Sequence, residues 1–245
     1  LVKEIANGDK YIWGAGYGIP YNNLVRFQEG ESPGIFWGYI ADGIFQNQSE
    51  VDSHATQPNA QPGDIRFVDV NGDGVVNADD RTKIGDPFSD FQIGWDFNLN
   101  VYNFDLSVRT YGTFGNDIFR GYERNLNYTN KPVSILARWT GEGTSNFEPR
   151  ATFIDSNNNV RPSTRYVEDG SYFKIKNVQV GYNFNVSNSK SLDAVRLYLQ
   201  GNNLMTFTDY TGYDPEMSYG VLDTGIDRGN YPSARTVSVG LNVKF

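Results

Sequence analysis

The sequence predicts an all-β protein of antiparallel strands. Segments of about ten residues alternate apolar and polar side chains, the signature of a strand with one greasy and one wet face. The composition is rich in strand-favouring aromatics and in turn residues, with 16 Tyr, 16 Phe, 4 Trp and 26 Gly in 245 residues. The connections between the segments alternate between short and long.

The last segment, "RTVSVGLNVKF", is the clearest. Val237, Val239, Leu241, Val243 and Phe245 share one face, opposite Ser238, Gly240, Asn242 and Lys244. "DFQIGWDFNLNV" repeats the pattern, with Phe91, Ile93, Trp95, Phe97, Leu99 and Val101 on the apolar side. A tight turn near Tyr102 and Asn103 leads into "NFDLSVRTYG", where Phe104, Leu106 and Val108 oppose Asp105, Ser107 and Arg109. In "VRLYLQGN", Val195, Leu197 and Leu199 oppose Arg196, Tyr198 and Gln200. "YFKIKNVQVGYNF" changes phase between Ile175 and Val178, and a β-bulge near Lys176–Asn177 would return both halves to one face. "KPVSILARWTG" predicts a short helix in a long loop, with Pro132 near its start and Gly141 near its end.

Strands of this length suit either a soluble sandwich or a membrane barrel. The connections favour the barrel. They are short around Tyr102, long from Asn116 to Gly170, shorter over "NVSNSKSLDA", and long again from Asp209 to Ala234. Membrane barrels pair short periplasmic turns with long outer loops. With Phe245 on the periplasmic side, the loop before Phe91 falls outside. The apolar faces would then touch membrane lipid.

Composition removes other classes. The net charge of −8 is the wrong sign for a nucleic-acid partner. There is no cysteine, which excludes disulfides and thiolate chemistry. No run of about 18 apolar residues forms a transmembrane helix, a test that barrel strands never meet. The chain starts at Leu1, and "LVKEIANGDK" has no apolar signal region, so it is expected to be a mature protein or a piece of a larger one.

One loop stands apart, "DVNGDGVVNADD". Numbering Asp69 as 1, oxygen side chains fall at Asp69, Asn71, Asp73, Asn77 and Asp80, which are positions 1, 3, 5, 9 and 12. Val75 at position 7 offers its carbonyl, and Gly74 at position 6 permits the sharp turn. This is a calcium-loop register, and the absence of His and Cys argues against zinc. Asp at position 12 is shorter than the usual Glu, so weaker binding suited to extracellular calcium is expected. "RFV" before the loop reads as strand and "GDP" at Gly85–Pro87 stops a following helix, so a structural staple is expected rather than an EF-hand sensor.

Other signals are bland. His54 is the sole histidine and has no nucleophile motif beside it. "GAGYG" at Gly14–Gly18 lacks the Lys and Ser/Thr of a phosphate loop. Glu168 and Asp169 are adjacent, and on a strand would point to opposite faces, unlike a glycosidase pair. Trp139, Tyr128, Tyr210, Tyr213 and Tyr219 could stack on sugars, pack loops or sit at a membrane interface. No enzyme is expected, and no catalytic or cofactor-binding residue is assigned.

Several segments, in order, resemble one family: "GDIRFVDVNGDGVVNADDRTKIGDP", "FDLSVRTYGTFGNDIF", "SYFKIKNVQVGYNF", "GNNLMTFTDYTGYDPE" and "YPSARTVSVGLNVKF". They are similar to the C-terminal portion of SusC/RagA-type TonB-dependent outer-membrane transporters. The resemblance covers Gly34 to Phe245, and the terminal Phe245 resembles the aromatic end of outer-membrane barrel proteins. It implies that residues 1–245 are part of a barrel of about 22 strands, with the calcium-type loop 69–80 in an extracellular loop. It implies uptake of glycan oligosaccharides, or of peptides, with a SusD-like surface lipoprotein, and TonB acting through a plug that this chain lacks. It also implies a cell outer-membrane location of Bacteroidota type. The rival from another class is a soluble secreted β-sandwich that binds carbohydrate and holds a structural calcium. A dockerin-like module would need a second copy of the loop, and none exists here.

Overall fold

The structure, a computed structural model, describes residues 1–5, 8–14, 16, 23–122, 133–187, 191–217, 220 and 222–245. Along the chain run β1 (Tyr11–Trp13), β2 (Val25–Gln28), β3 (Ile35–Gly38), β4 (Ala41–Ile44), helix α1 (Gln48–Ser53), β5 (Ile65–Phe67) and β6 (Thr82–Gly85). The long strands β7 (Phe91–Val101) and β8 (Phe104–Phe114) follow, then the short β9 (Asp117–Phe119) and β10 (Val167–Asp169). Three more long strands complete the order: β11 (Tyr172–Phe184), β12 (Ala194–Thr208) and β13 (Thr236–Lys244). These elements fall into two compact units.

One unit comprises Ser89–Asn116, Asp169–Met217 and Asn230–Phe245. It is a five-stranded antiparallel sheet in the order β13-β12-β11-β8-β7, so each long strand lies beside the next in sequence. The register follows the period-2 reading. Phe91, Trp95, Leu99 and Val101 of β7 face Phe114, Thr110, Leu106 and Phe104 of β8. Leu197 and Leu199 of β12 pair with Leu241 and Val239 of β13. The tight turn is Tyr102–Asn103, with Tyr102 at φ +52°, a left-handed geometry that closes a two-residue hairpin.

The bulge falls where the phase break placed it. Ile175 pairs with Thr110 and Asn177 with Arg109, leaving Lys176 as the additional residue. Phe173, Ile175, Val178 and Val180 therefore share a face. Facing the bulge on β12, Asn203 adopts φ +51°.

The apolar face is uncovered. Trp95 is 57% exposed, Leu199 52% and Val239 72%. A sandwich would bury these side chains against a second sheet. Aromatics gather at the two ends of this face. At one end Phe91 stacks on Phe114 with centroids 4.8 Å apart, and Phe173 meets Phe207. At the turn end Phe104, Tyr182 and Phe184 form a chain of edge contacts. Between them lie Leu106, Val180, Leu197, Leu199, Val239 and Leu241, the aliphatic band between aromatic girdles that a bilayer selects.

The other unit comprises Leu1–Phe88, Asp117–Glu168 and Ser218–Gly229. It holds a four-stranded sheet, β1-β2-β3-β6, and the β4–β5 pair. Its core packs Leu24, Val25, Phe36, Ile84, Phe119, Tyr166 and Ile226. Burying side chains of this size stabilises by about 1.5–3 kcal/mol each, which gives these loop segments a core of their own. A polar network adds to it. Gln57 donates to Asn157 at 2.7 Å and to the Ile65 carbonyl at 2.8 Å, and Arg150 holds buried Asp64 through two hydrogen bonds.

The helix expected over 131–141 is corrected. Val133–Ala137 forms a 3-10 segment with no buried residue, so no apolar face anchors a longer helix. Trp139 N–H donates to the Glu148 carbonyl, which carries the chain off the helical path. Lys131 and Pro132 lie outside the described residues. Among the described residues the α-helix is α1, capped by the Asn47 side chain accepting from Glu50 N–H; its six residues are too few to show a helical period.

The candidate metal loop and the polar face of the sheet

The acidic loop links β5 to β6 and is held by its own backbone. Gly74 N–H and Gly72 N–H both donate to Asp69, at 2.8 Å each. Gly74 sits at φ +86°, a left-handed geometry that a side chain would strain. Asn71 accepts from Asp73 N–H and Asp73 from Val75 N–H, a run of Asx turns. The Gly74 N–H, more than any other contact, holds the exposed Asp69 carboxyl below its usual range.

Asp80 differs from the other five. It is fully buried, its Oδ1 accepts from Val70 and Asn71 N–H, and its Oδ2 accepts from Asn77 N–H at 2.7 Å. The Asn77 side chain accepts in return from backbone N–H groups of the 3-10 turn Ala78–Asp80, which closes a capping box. Asp80 thus already serves as the loop's internal clamp. Among the described residues no three acidic or imidazole side chains converge as a metal-holding group.

On the sheet, the face opposite the apolar band is laced with charge pairs. Arg109 donates to Asp96 at 2.8 Å across β8 and β7. Arg196 reaches over β11 to Asp105 on β8, and its Nε donates at 2.9 Å. Gly181 lies beneath that pair, where an added Cβ would meet Asp105 at 2.5 Å. Gly240 likewise makes room for the Tyr198 ring.

Sequence reasoning left "GYDPE", Gly212–Glu216, without a role. In the structure this segment folds back on the same face. Lys174, only 2% exposed, donates to Asp214 at 2.8 Å and to Glu216 at 2.8 Å. Glu216 also accepts from Lys176, the bulge residue. Asp214 accepts from Ser233 N–H and caps Glu216 N–H. Burial alone would raise both carboxyls, but the lysine hydrogen bonds outweigh it and hold both below their usual values.

Most of the remaining candidates among the described residues pair or pack locally. His54 ends α1 against Phe45, with centroids 5.2 Å apart. Glu168 pairs with Arg120 at 3.0 Å, and Asp169 accepts from Ser171 N–H. Trp139 donates its indole N–H to Gln46, Tyr210 is buried and Tyr213 is exposed. Tyr128, Tyr219 and most of the "GAGYG" stretch lie outside the described residues.

A sheet with an uncovered apolar face between aromatic girdles and a charge-laced opposite face is a wall segment of an outer-membrane β-barrel. The comparisons with known proteins agree. No family model matches the chain. It is 36% identical over 237 residues to TonB-dependent receptor P3 of Formosa agariphila, covering 89% of this chain and 23% of the relative. TonB-dependent receptor SusC of Bacteroides thetaiotaomicron is 27% identical over 212 residues, covering 85% and 20%. A structure of the RagAB peptide transporter matches with a TM-score of 0.72 at 17% identity, over 99% of this chain and 25% of that one. The open-open state of the RagAB peptide importer matches at 0.69 and 19%, with the same coverage.

The chain belongs to the SusC/RagA-type TonB-dependent receptors of the outer membrane. It spans about a quarter of the length of the relatives it matches. The soluble-sandwich alternative fails on the uncovered apolar face and on these relatives.

Proposed function

We propose that the protein takes part in nutrient uptake across the outer membrane, with glycan oligosaccharides as cargo, a SusD-like surface lipoprotein as partner and TonB as the source of energy. The observation that carries this reading is the two-faced sheet, greasy on one side and lined with ion pairs on the other, in a chain 36% identical to a TonB-dependent receptor. A charge-laced face suits the lining of a solute path. Deleting the complete receptor gene in its native host should abolish growth on one glycan class while growth on the component monosaccharides persists. A lipoprotein should copurify with the tagged complete receptor. Unchanged growth on every glycan, with loss of growth on peptides instead, would replace the cargo assignment and leave the uptake reading standing.

The loop 69–80 is proposed to hold a structural calcium ion through Asp69, Asn71, Asp73, the Val75 carbonyl, Asn77 and Asp80. The position-6 glycine with φ +86° and the Gly74 N–H on Asp69 support this. Asp80 would have to share oxygens that already accept backbone N–H groups, in keeping with a weak site. Bound calcium would offset part of the acidic charge that Asp69, Asp73, Asp79 and Asp80 bring to the loop. At a concentration about tenfold above Kd it should stabilise the receptor by about 1.4 kcal/mol. Calorimetric titration of the complete receptor should show a saturable calcium heat that Asp73→Asn removes; superimposable titrations of the two proteins would refute the assignment.

A further inference from the structure

The small sheet β1-β2-β3-β6 and the start of its last strand carry an arrangement that the loop and the wall do not explain. Arg26, on β2, is sandwiched between two rings, with its guanidinium carbon 3.7 Å from the Tyr11 centroid and 3.8 Å from that of Trp37. Arg81, just before β6, lies 5.1 Å from the Trp13 ring, and Arg26 lies 5.8 Å from the same ring. Two guanidiniums thus share one indole. Arg81 donates to the Trp37 carbonyl at 2.8 Å and to the Asn23 carbonyl. Neither arginine forms an ion pair with a carboxylate among the described residues. The Nε atoms of both are buried without a hydrogen-bond partner.

The contrast with the neighbouring cation sharpens the point. Lys83, two residues beyond Arg81, is neutralised by Glu31 at 2.8 Å and Asp86 at 3.1 Å. Two arginines packed together without a counter-charge repel one another and give up hydration. Burial depresses both, and Arg26 is itself one of the charges that depress Arg81. Stacking on rings recovers part of that cost and fixes the guanidinium plane, while its in-plane donors stay suited to a planar oxyanion. The flanking Tyr11 is 39% exposed, and Arg26 and Arg81 are partly exposed, so the group is open to solvent.

We propose that Arg26 and Arg81, framed by Tyr11, Trp13 and Trp37, form a binding site for a carboxylate-bearing solute. The carboxylate accepts in-plane N–H bonds from the stacked guanidinium of Arg26 and is drawn by the charge of Arg81. The rings present flat apolar surface beside the anion, which suits the body of an acidic oligosaccharide or a peptide carrying its C-terminal carboxylate. The site rests on the uptake reading only for the source of that carboxylate.

The test uses the complete receptor in detergent and follows tryptophan fluorescence and calorimetric heat. One arm titrates trigalacturonate against its fully methyl-esterified form, which is slightly larger and carries no charge. The other titrates N-acetyl-trialanine against N-acetyl-trialanine amide, which is uncharged. In at least one arm the acid should bind about tenfold or more tighter than its uncharged twin. Arg26→Gln should erase that ratio, and Arg26→Lys should restore only part of it, because an ammonium lacks the planar fork. The arm that discriminates identifies the source. Equal binding of acid and uncharged twin in both arms, measured on the wild-type protein, overturns the site without touching the uptake reading, which the deletion experiment tests separately.

Discussion

Lys174→Met should release the Asp209–Met217 segment from the polar face of the sheet. Lys174 is almost wholly buried and is held by two carboxylates at 2.8 Å each. Removing the ammonium leaves Asp214 and Glu216 partly buried with Lys176 alone, and Lys176 bonds only Glu216 among them. Breaking a buried pair from one side is costly because the other charge stays desolvated. Such a loss typically costs about 3–5 kcal/mol, and Glu216 keeps some solvent contact, so about 2–4 kcal/mol is expected here. The loss should appear locally, as faster amide exchange and proteolysis over residues 209–217, with the wall strands still protected. Adding Asp214→Asn and Glu216→Gln to Lys174→Met should recover part of the protection, because the stranded charges go with them.

The pH dependence has a definite sign. Both loop carboxyls are held below their ordinary values in the folded protein. Their contribution is therefore complete above the unfolded values of about 4 and is lost as pH falls through the lower folded values. Exchange over the segment should accelerate in wild type as pH drops below about 4, once corrected for the intrinsic rate. The Lys174→Met protein should show little of that acid step. Identical protection in wild type and variant at neutral pH would mean that the ion cluster does not hold the segment.

What the sequence disclosed and what it hid follow from the range of each interaction. The faces of the long strands were legible because a strand repeats every two residues, so Val237 to Val243 or Phe91 to Val101 declare their sides without a partner. The bulge was legible for the same reason: Ile175 and Val178 cannot share a face unless one residue is extra. The acidic loop showed its turn chemistry, because Asx turns and position-6 glycines act over two to five residues. Its register did not reveal that Asp80 is buried and engaged with three backbone N–H groups. "GYDPE" was opaque because its partner Lys174 lies about forty residues away, and nothing in either segment names the other. The arginine–aromatic cluster draws on β1, β2, β3 and Arg81, four separate stretches with no shared period. The helix over 131–141 failed because proline and glycine mark ends only where an apolar face exists to be buried.

Leu199→Arg and Gln200→Lys should behave oppositely although the residues are neighbours. Leu199 lies midway along β12 on the apolar face, between Val180 of β11 and Val239 of β13, and is 52% exposed. Gln200 lies on the polar face between Gln179 and Ser238. If the exposed side is solvated by acyl chains, an arginine at the middle of the strand should destabilise the barrel by about 2–4 kcal/mol. A lysine at Gln200 meets water and polar neighbours and should cost less than about 1 kcal/mol. The complete receptor, expressed and extracted from the outer membrane, separates the two outcomes through heat-modifiable migration and urea unfolding in lipid. Leu199→Arg should yield less folded barrel and a lower midpoint, whereas Gln200→Lys should match wild type. The comparison does not depend on cargo, calcium or partner, because it reads only which solvent each face of the strand meets. Were Leu199 instead in contact with water, arginine there would be nearly neutral, since an exposed charge on a wet strand costs little, and the two variants would be indistinguishable. That outcome would remove the lipid-facing assignment for all five strands together, because the register ties Leu199 to Val180, Val239, Leu106 and Leu99 on one continuous side.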